Sequence, residues 1–182
     1  MGMSEPVYYT RDMVLAMPDD GNRYETVHGE LLVSPAPRLW HQEIVFRLAS
    51  LLTEYLTEVP SLHVFGLPAD ISWGPDILVQ PDVFVVPTEE ARTLDWSSVQ
   101  SLQLAVEVLS PSTTRHDRFT KRRLYQEVGI PVYWIVDADG HYVEVWTPET
   151  LFPTVERDQV TWELTGAARP FTLQLNELFR PI

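Results

Sequence analysis

The sequence of 182 residues predicts an α/β fold, a mixed β-sheet with a helix on each side. Three observations predict it. Residues 104–109, except Glu107, and the Val-Tyr-Trp-Ile-Val run within 131–137 are apolar at successive positions, the pattern of strands covered on both faces. Ile44, Val45, Leu48, Leu51, Leu52, Tyr55 and Leu56 recur every three and four residues, the period of a helix packed along one side. Helices alternate with strands only in part, so the sheet is expected to be mixed rather than wholly parallel.

In chain order, residues 1–20 are loosely patterned and end in the turn-like Pro18-Asp19-Asp20-Gly21. A hairpin is expected next, 24–27 paired with 30–34 across His28-Gly29, and Pro35-Ala36-Pro37 stops it. The helical period then runs from His41 to Leu56, and Pro60 lies beyond its end. His41 sits one turn before Ile44 and Val45, near the inward edge, whereas Glu43 aligns with Arg47 and Ser50 on the outer side. Short strands follow at about 62–66 and 69–73, then an apolar run at 77–86. Pro81 interrupts that run and marks an edge, a bulge or a strand start, because proline cannot donate to a ladder. Residues 87–101 are polar and read as a loop with at most a helical turn. After the strand at 104–109, Ser110-Pro111-Ser112-Thr113-Thr114 supplies a turn and helix caps, and a second helix runs to about Val128 with Gly129 as its stop. The strand at 131–137 turns through Ala138-Asp139-Gly140 into a partner at 142–146. The last 35 or so residues hold short strand-like pieces.

Composition bounds the function. A chain of this length buries a core without staples, and its 45% hydrophobic content is ordinary for a globular protein. There is no cysteine, so thiolate metal sites and disulfides are excluded, and any metal must be held by oxygen or histidine. The start of the chain lacks the pattern of a secretion signal, and no apolar run reaches membrane-spanning length; the expectation is a soluble, cytoplasmic protein. The net charge of -13 argues against a surface that grips nucleic acid all round. It leaves room for a carboxylate-rich metal site served by one local basic strip, which runs from Arg115 to Arg123. That strip is equally readable as a solvated helix face.

Two acids stand out because they sit in strands that otherwise read as core: Asp82 and Glu107. A buried carboxylate needs a cation, a donor or a proton. On neighbouring strands the two can share one divalent cation. Taken singly, each is explained more simply by a nearby arginine or by backbone donors; taken together, the balance moves to a site. Asp117 and Lys121 form a second pair, four residues apart on one helix face that Leu124, Tyr125 and Val128 continue, so Lys121 is expected to point at the sheet. Arg118, Arg122 and Arg123 are expected to be solvated or phosphate-facing, and Tyr133 and Trp134 to be core.

Pro81-Asp82, then Glu107 at the centre of a strand, then a lysine, resembles the PD-(D/E)xK nuclease superfamily. More closely, Val106-Glu107-Val108-Leu109-Ser110-Pro111-Ser112-Thr113 followed by Asp117, Lys121, Tyr125 and Tyr133-Trp134 resembles the Uma2 family of endonucleases, also called DUF820. Tyr24-Glu25, Gly29-Glu30 and His41 fit that family too, and the resemblance covers roughly residues 12–147. It implies one restriction endonuclease-like domain over 1–182, with its core at about 22–147, an N-terminal hairpin and C-terminal strand additions. It implies a metal-dependent endonuclease hydrolysing phosphodiester bonds of DNA, with Asp82 and Glu107 holding Mg²⁺ or Mn²⁺ and with Asp82, Glu107, Lys121 and Asp117 as the catalytic set. Glu25, Glu30 and His41 are candidate accessory residues. One departure matters: the superfamily lysine falls two residues after the acid, where this chain has Leu109, and Lys121 on the following helix is the matching residue. The alternative is a catalytically inactive domain of the same fold that binds nucleic acid or protein. A homodimer is a further expectation, since closed two-fold pairs are the commonest oligomers.

Overall fold

A computed structural model describes residues 7–182. The loosely patterned start therefore lies partly outside the described residues. Inside it, where no regular element was expected, Thr10 caps a short helix, α1 (Arg11–Leu15). The hairpin follows as β1 (Arg23–Val27) and β2 (Glu30–Ser34), in register from Arg23 with Ser34 to Val27 with Glu30. His28 and Gly29 both take positive φ in its two-residue turn, the conformation that matches the twist of the strands.

The long helix, α2 (Leu39–Leu56), buries His41, Ile44, Val45, Leu48, Leu52, Tyr55 and Leu56 on one side. Next come β3 (Leu62–Phe65), β4 (Ile71–Gly74), β5 (Ile77–Val79) and β6 (Val83–Pro87). The apolar run at 77–86 is thus two strands, broken at Gln80-Pro81-Asp82, and they enter different sheets. A short helix, α3 (Thr88–Ala91), and a 3-10 turn at Trp96–Ser98 occupy the expected loop. Central strand β7 (Leu104–Val108) is buried at every position.

The helix after it is not regular. A π-helical stretch, His116–Lys121, leads into α4 (Arg122–Glu127), a widening that sequence periodicity did not foretell. Then come β8 (Tyr133–Asp137), β9 (Tyr142–Trp146), β10 (Thr154–Glu156), β11 (Gln159–Trp162), β12 (Phe171–Gln174) and α5 (Leu175–Leu178).

The main sheet has six strands in the order β10-β9-β8-β7-β6-β3. All its neighbours are antiparallel except β7 and β8, whose parallel pairing needs the crossover that the π stretch and α4 provide. The second sheet, β2-β1-β5-β4, is antiparallel throughout. The strand period of two sorts the core into layers. Val83, Val85, Leu104, Val106, Val108, Trp134 and Val136 face α2, and the strands β11 and β12 close that layer with Trp162, Phe171 and Leu173. Phe84, Val86, Ala105, Tyr133 and Ile135 face the other way, against the hairpin, Val79 and the helix residues Leu124 and Tyr125. Glu107 lies between Val106 and Val108, so it points into this second layer, where the hairpin and α4 converge. Tyr133 and Trp134 are core, as expected. No helix of the described residues is long and apolar enough to cross a membrane.

Candidate active site

The break at Gln80-Pro81-Asp82 places the first acid. Pro81 ends β5, and the Asp82 backbone N–H donates to the Val106 carbonyl at 3.1 Å, fixing the residue beside β7. The two Asp82 oxygens are used differently. Oδ2 accepts the Val108 N–H at 2.8 Å and lies 3.1 Å from His41 Nε2. Oδ1 accepts Arg23 Nη1 at 2.9 Å. The second acid, Glu107, accepts Lys121 Nζ at 2.9 Å and the Tyr125 hydroxyl at 3.0 Å, both on Oε1.

Lys121 is the hub of the deeper half. Its ammonium is 2.7 Å from Glu25 Oε1, 2.9 Å from Glu107 and 3.8 Å from Asp117 Oδ1. Glu25 also accepts the Gln80 backbone N–H at 2.6 Å, which ties the hairpin to the strand break. The wide π turn carries both Asp117 and Lys121 inward, and each is fully buried. Lys121 thus reaches the acid on the central strand from the helix.

The structure brings Asp82, Glu107, Asp117, Lys121, Glu25 and His41 into one cluster. It does not bring in Glu30, which is exposed at the start of β2 and lines a groove with His28 and Arg123. That candidate is corrected. Glu30 pairs with Val27 and so shares the face of Glu25, but it stands at the tip of the hairpin, where the chain has left the buried layer. Arg118 and Arg122 are corrected as well. Arg118 donates to Glu144 and Tyr142, and Arg122 donates to Gln126 and lies over the Trp146 ring, so neither is free to meet a phosphate. Arg115 and Arg123 line the open groove beside the hairpin together with the exposed Phe119.

Arg23 was not singled out from sequence. A lone arginine at the head of a strand looks solvated. The available signal was its place two residues before Glu25, which puts both side chains on one face of β1. The Tyr125 hydroxyl was read only as part of an apolar face.

Electrostatics follow from burial. Burial alone would raise the Asp82 carboxyl, but the His41 hydrogen bond, the Arg23 charge and the Val108 N–H outweigh it and hold Asp82 well below the usual carboxylate range. Burial pushes Glu107 well above that range; Lys121 opposes the rise, while Asp82, Asp117 and Glu25 add to it. Burial likewise pushes Asp117 up to about 6 against the pull of Lys121. Lys121, which burial alone would lower, is held well above an ordinary lysine by Glu107, Glu25 and Asp117.

Four buried carboxylates therefore face two cations, Arg23 and Lys121, an excess of two negative charges when all four acids are ionised. Hard oxygen donors with uncompensated negative charge fit a divalent cation such as Mg²⁺ or Mn²⁺. The side chains as placed are not a ready-made cage: among the described residues no three of His, Asp and Glu converge as a metal-binding group. Each acid instead rests on a protein donor.

The cluster meets solvent where Asp82 lines a cleft. Arg23, His41 and Asp82 line a cleft of about 300 Å³ walled by Pro35 and Pro37. Arg23 and His41 also line an adjoining cavity of about 230 Å³ whose far wall is Arg38 and the turn Ser110–Thr113.

A mixed sheet with a buried acid on its central strand and a lysine delivered from the crossover helix defines a restriction endonuclease-like fold. One solved structure with this fold is described as "a putative nuclease belonging to DUF820" from Anabaena variabilis. It superposes with a TM-score of 0.75 at 20% identity, covering 94% of this chain and 97% of that chain. The Uma2 family, described as "Putative restriction endonuclease", matches residues 11–176, and the chain belongs to that family. A search of curated proteins finds no match.

Proposed function

We propose that the chain is a divalent-metal-dependent endonuclease that hydrolyses phosphodiester bonds of DNA, acting as one restriction endonuclease-like domain. The observation that supports this reading most is the excess of buried carboxylate in the cluster behind the cleft that Asp82 lines: Asp82, Glu107, Glu25 and Asp117 against Arg23 and Lys121. Structural ion pairs do not need unbalanced charge, which costs stability when buried. Asp82 and Glu107 would hold the metal. Bound there, it would supply polarisation of a phosphate oxygen and a coordinated water of lowered pKa. Lys121, fixed between Glu107 and Glu25, would offset the negative charge that builds on phosphate. Tyr125 and Tyr133 brace the helix side, with Tyr133 donating to the Asp117 carbonyl at 3.1 Å. His41 holds the orientation of Asp82.

A second reading, an inactive domain of the same fold that binds nucleic acid or protein, is favoured by the protein donors already seated on the candidate ligands and by the net charge of -13. Calorimetric titration of Mn²⁺ into the wild type and into Asp82→Ala separates the two. Binding in the wild type that is lost in the variant supports the metal site. Absence of binding in the wild type, with and without a DNA duplex, favours the inactive domain.

A further inference from the structure

We propose that Arg23 is a releasable counter-ion, which holds the candidate metal site closed until a substrate phosphodiester entering the cleft draws its guanidinium away from Asp82. The proposal rests on the metal-nuclease reading above and adds an order of events to it. Three observations support it. First, the two Asp82 oxygens are held unequally. Oδ2 is anchored by the Val108 N–H and His41, whereas Oδ1 accepts from Arg23 alone among the described residues. Removing Arg23 frees one oxygen and leaves the carboxylate oriented by the other.

Second, the two cations of the cluster differ in access. The Lys121 side chain is 3% exposed and pinned between Glu25 and Glu107. The Arg23 side chain is 19% exposed and lines both lobes of the cleft. Only Nη1 of Arg23 is engaged, on Asp82 and on the Gln80 carbonyl. Its Nε and Nη2 donate to nothing among the described residues, so the flat fork that suits a phosphate's two oxygens is available.

Third, the surroundings suit a phosphodiester. Arg38 and Ser112, whose hydroxyl is 3.0 Å from that of Ser110, stand in the facing wall of the adjoining cavity. On the near side His41 also lines this cavity, and its Nδ1 is buried without a partner among the described residues. A diester bound there competes with Asp82 for Arg23. A diester that takes hold of the guanidinium through its free Nε and Nη2 and turns it toward the cavity breaks the single Nη1 bond on Oδ1, so substrate and metal favour one another's binding, and the coupling is reciprocal.

The test uses the full chain with two probes kept apart. Mn²⁺ is titrated calorimetrically without nucleic acid, and a fluorescently labelled DNA duplex is titrated by anisotropy in EDTA, for wild type, Arg23→Gln and Arg38→Gln. Should Arg23→Gln not fold, Arg23→Met removes the same charge. Expected for Arg23→Gln is Mn²⁺ binding roughly tenfold tighter than wild type, the worth of one charged hydrogen bond, with duplex binding weakened several-fold. Arg38→Gln is expected to weaken the duplex only. Equal Mn²⁺ affinity in wild type and Arg23→Gln overturns the counter-ion role while leaving the metal site standing. An equal rise in Arg38→Gln overturns it too, because the effect is then general charge rather than release of Asp82. Mn²⁺ binding in none of the three removes the metal-nuclease reading and this inference together.

Discussion

Replacing Lys121 by methionine tests the charge cluster from its centre. The substitution keeps the length of the buried side chain and deletes its charge, leaving Glu107, Glu25 and Asp117 without the cation they surround at 2.9, 2.7 and 3.8 Å. Removing one partner of a buried ion pair costs about 3–5 kcal/mol, because the remaining charge stays out of water. For a chain of this size each kcal/mol moves the melting temperature by about 2–4 °C, so a fall of roughly 6–20 °C is expected at pH 8. The pH dependence has a definite sign. Burial already raises Glu107 and Asp117, the latter to about 6, and loss of Lys121 raises both further. A carboxyl whose folded pKa lies above its unfolded value costs stability above that pKa and not below its unfolded value. The destabilisation is therefore largest at pH 8 and shrinks toward pH 5, as protons take over the role of the lysine. Thermal denaturation followed by circular dichroism at the two pH values is the assay. A fall below about 2 °C at pH 8, or a larger fall at pH 5 than at pH 8, refutes the argument that Lys121 compensates these acids.

Two further substitutions follow from the same structure. Asp117→Asn deletes a carboxyl that burial raises from 3.8 to about 6, so the variant is expected to be more stable at pH 8, by up to about 3 kcal/mol, with no gain below pH 4. Denaturant unfolding at the two pH values measures this, and a loss at pH 8 contradicts it. Gly29→Ala places a side chain on a residue at φ +80 and against the Tyr8 ring, with an expected cost of about 2 kcal/mol. Chemical denaturation reads the loss, and a variant as stable as wild type shows that the turn relaxes.

Much of this fold was legible because burial leaves a pattern. β7 reads as central since every position is apolar but one, and that one exception, Glu107, is the acid at the middle of the cluster. The phase of α2 put His41 inward, where it meets Asp82. Other features left no such trace. Glu25 read only as a candidate accessory acid on a hairpin, but three successive residues of β1, Glu25 to Val27, are buried because the crossover helix covers one face of that strand and the segment at Tyr9 with α1 covers the other. Arg23 gave no periodic signal, and its partner lies 59 residues away. Pro81 marked a break but not the change of sheet that the break allows. The π stretch follows from no residue preference in 116–121, and its effect is to bury Asp117 and Lys121 together. The C-terminal strands read only as short additions to the core, yet Trp162, Phe171 and Leu173 complete the layer under α2.

The central claim is that the Asp82–Glu107 cluster hydrolyses DNA with a divalent cation. It is tested most directly by incubating supercoiled plasmid with the wild type and with Glu107→Gln in millimolar Mg²⁺ or Mn²⁺, alongside melting curves for both proteins. The account predicts nicking or linearisation by the wild type that EDTA abolishes, and a loss of roughly a hundredfold or more in a variant that still melts cooperatively. Equal cleavage by wild type and variant, or none by a folded wild type in either metal, contradicts it.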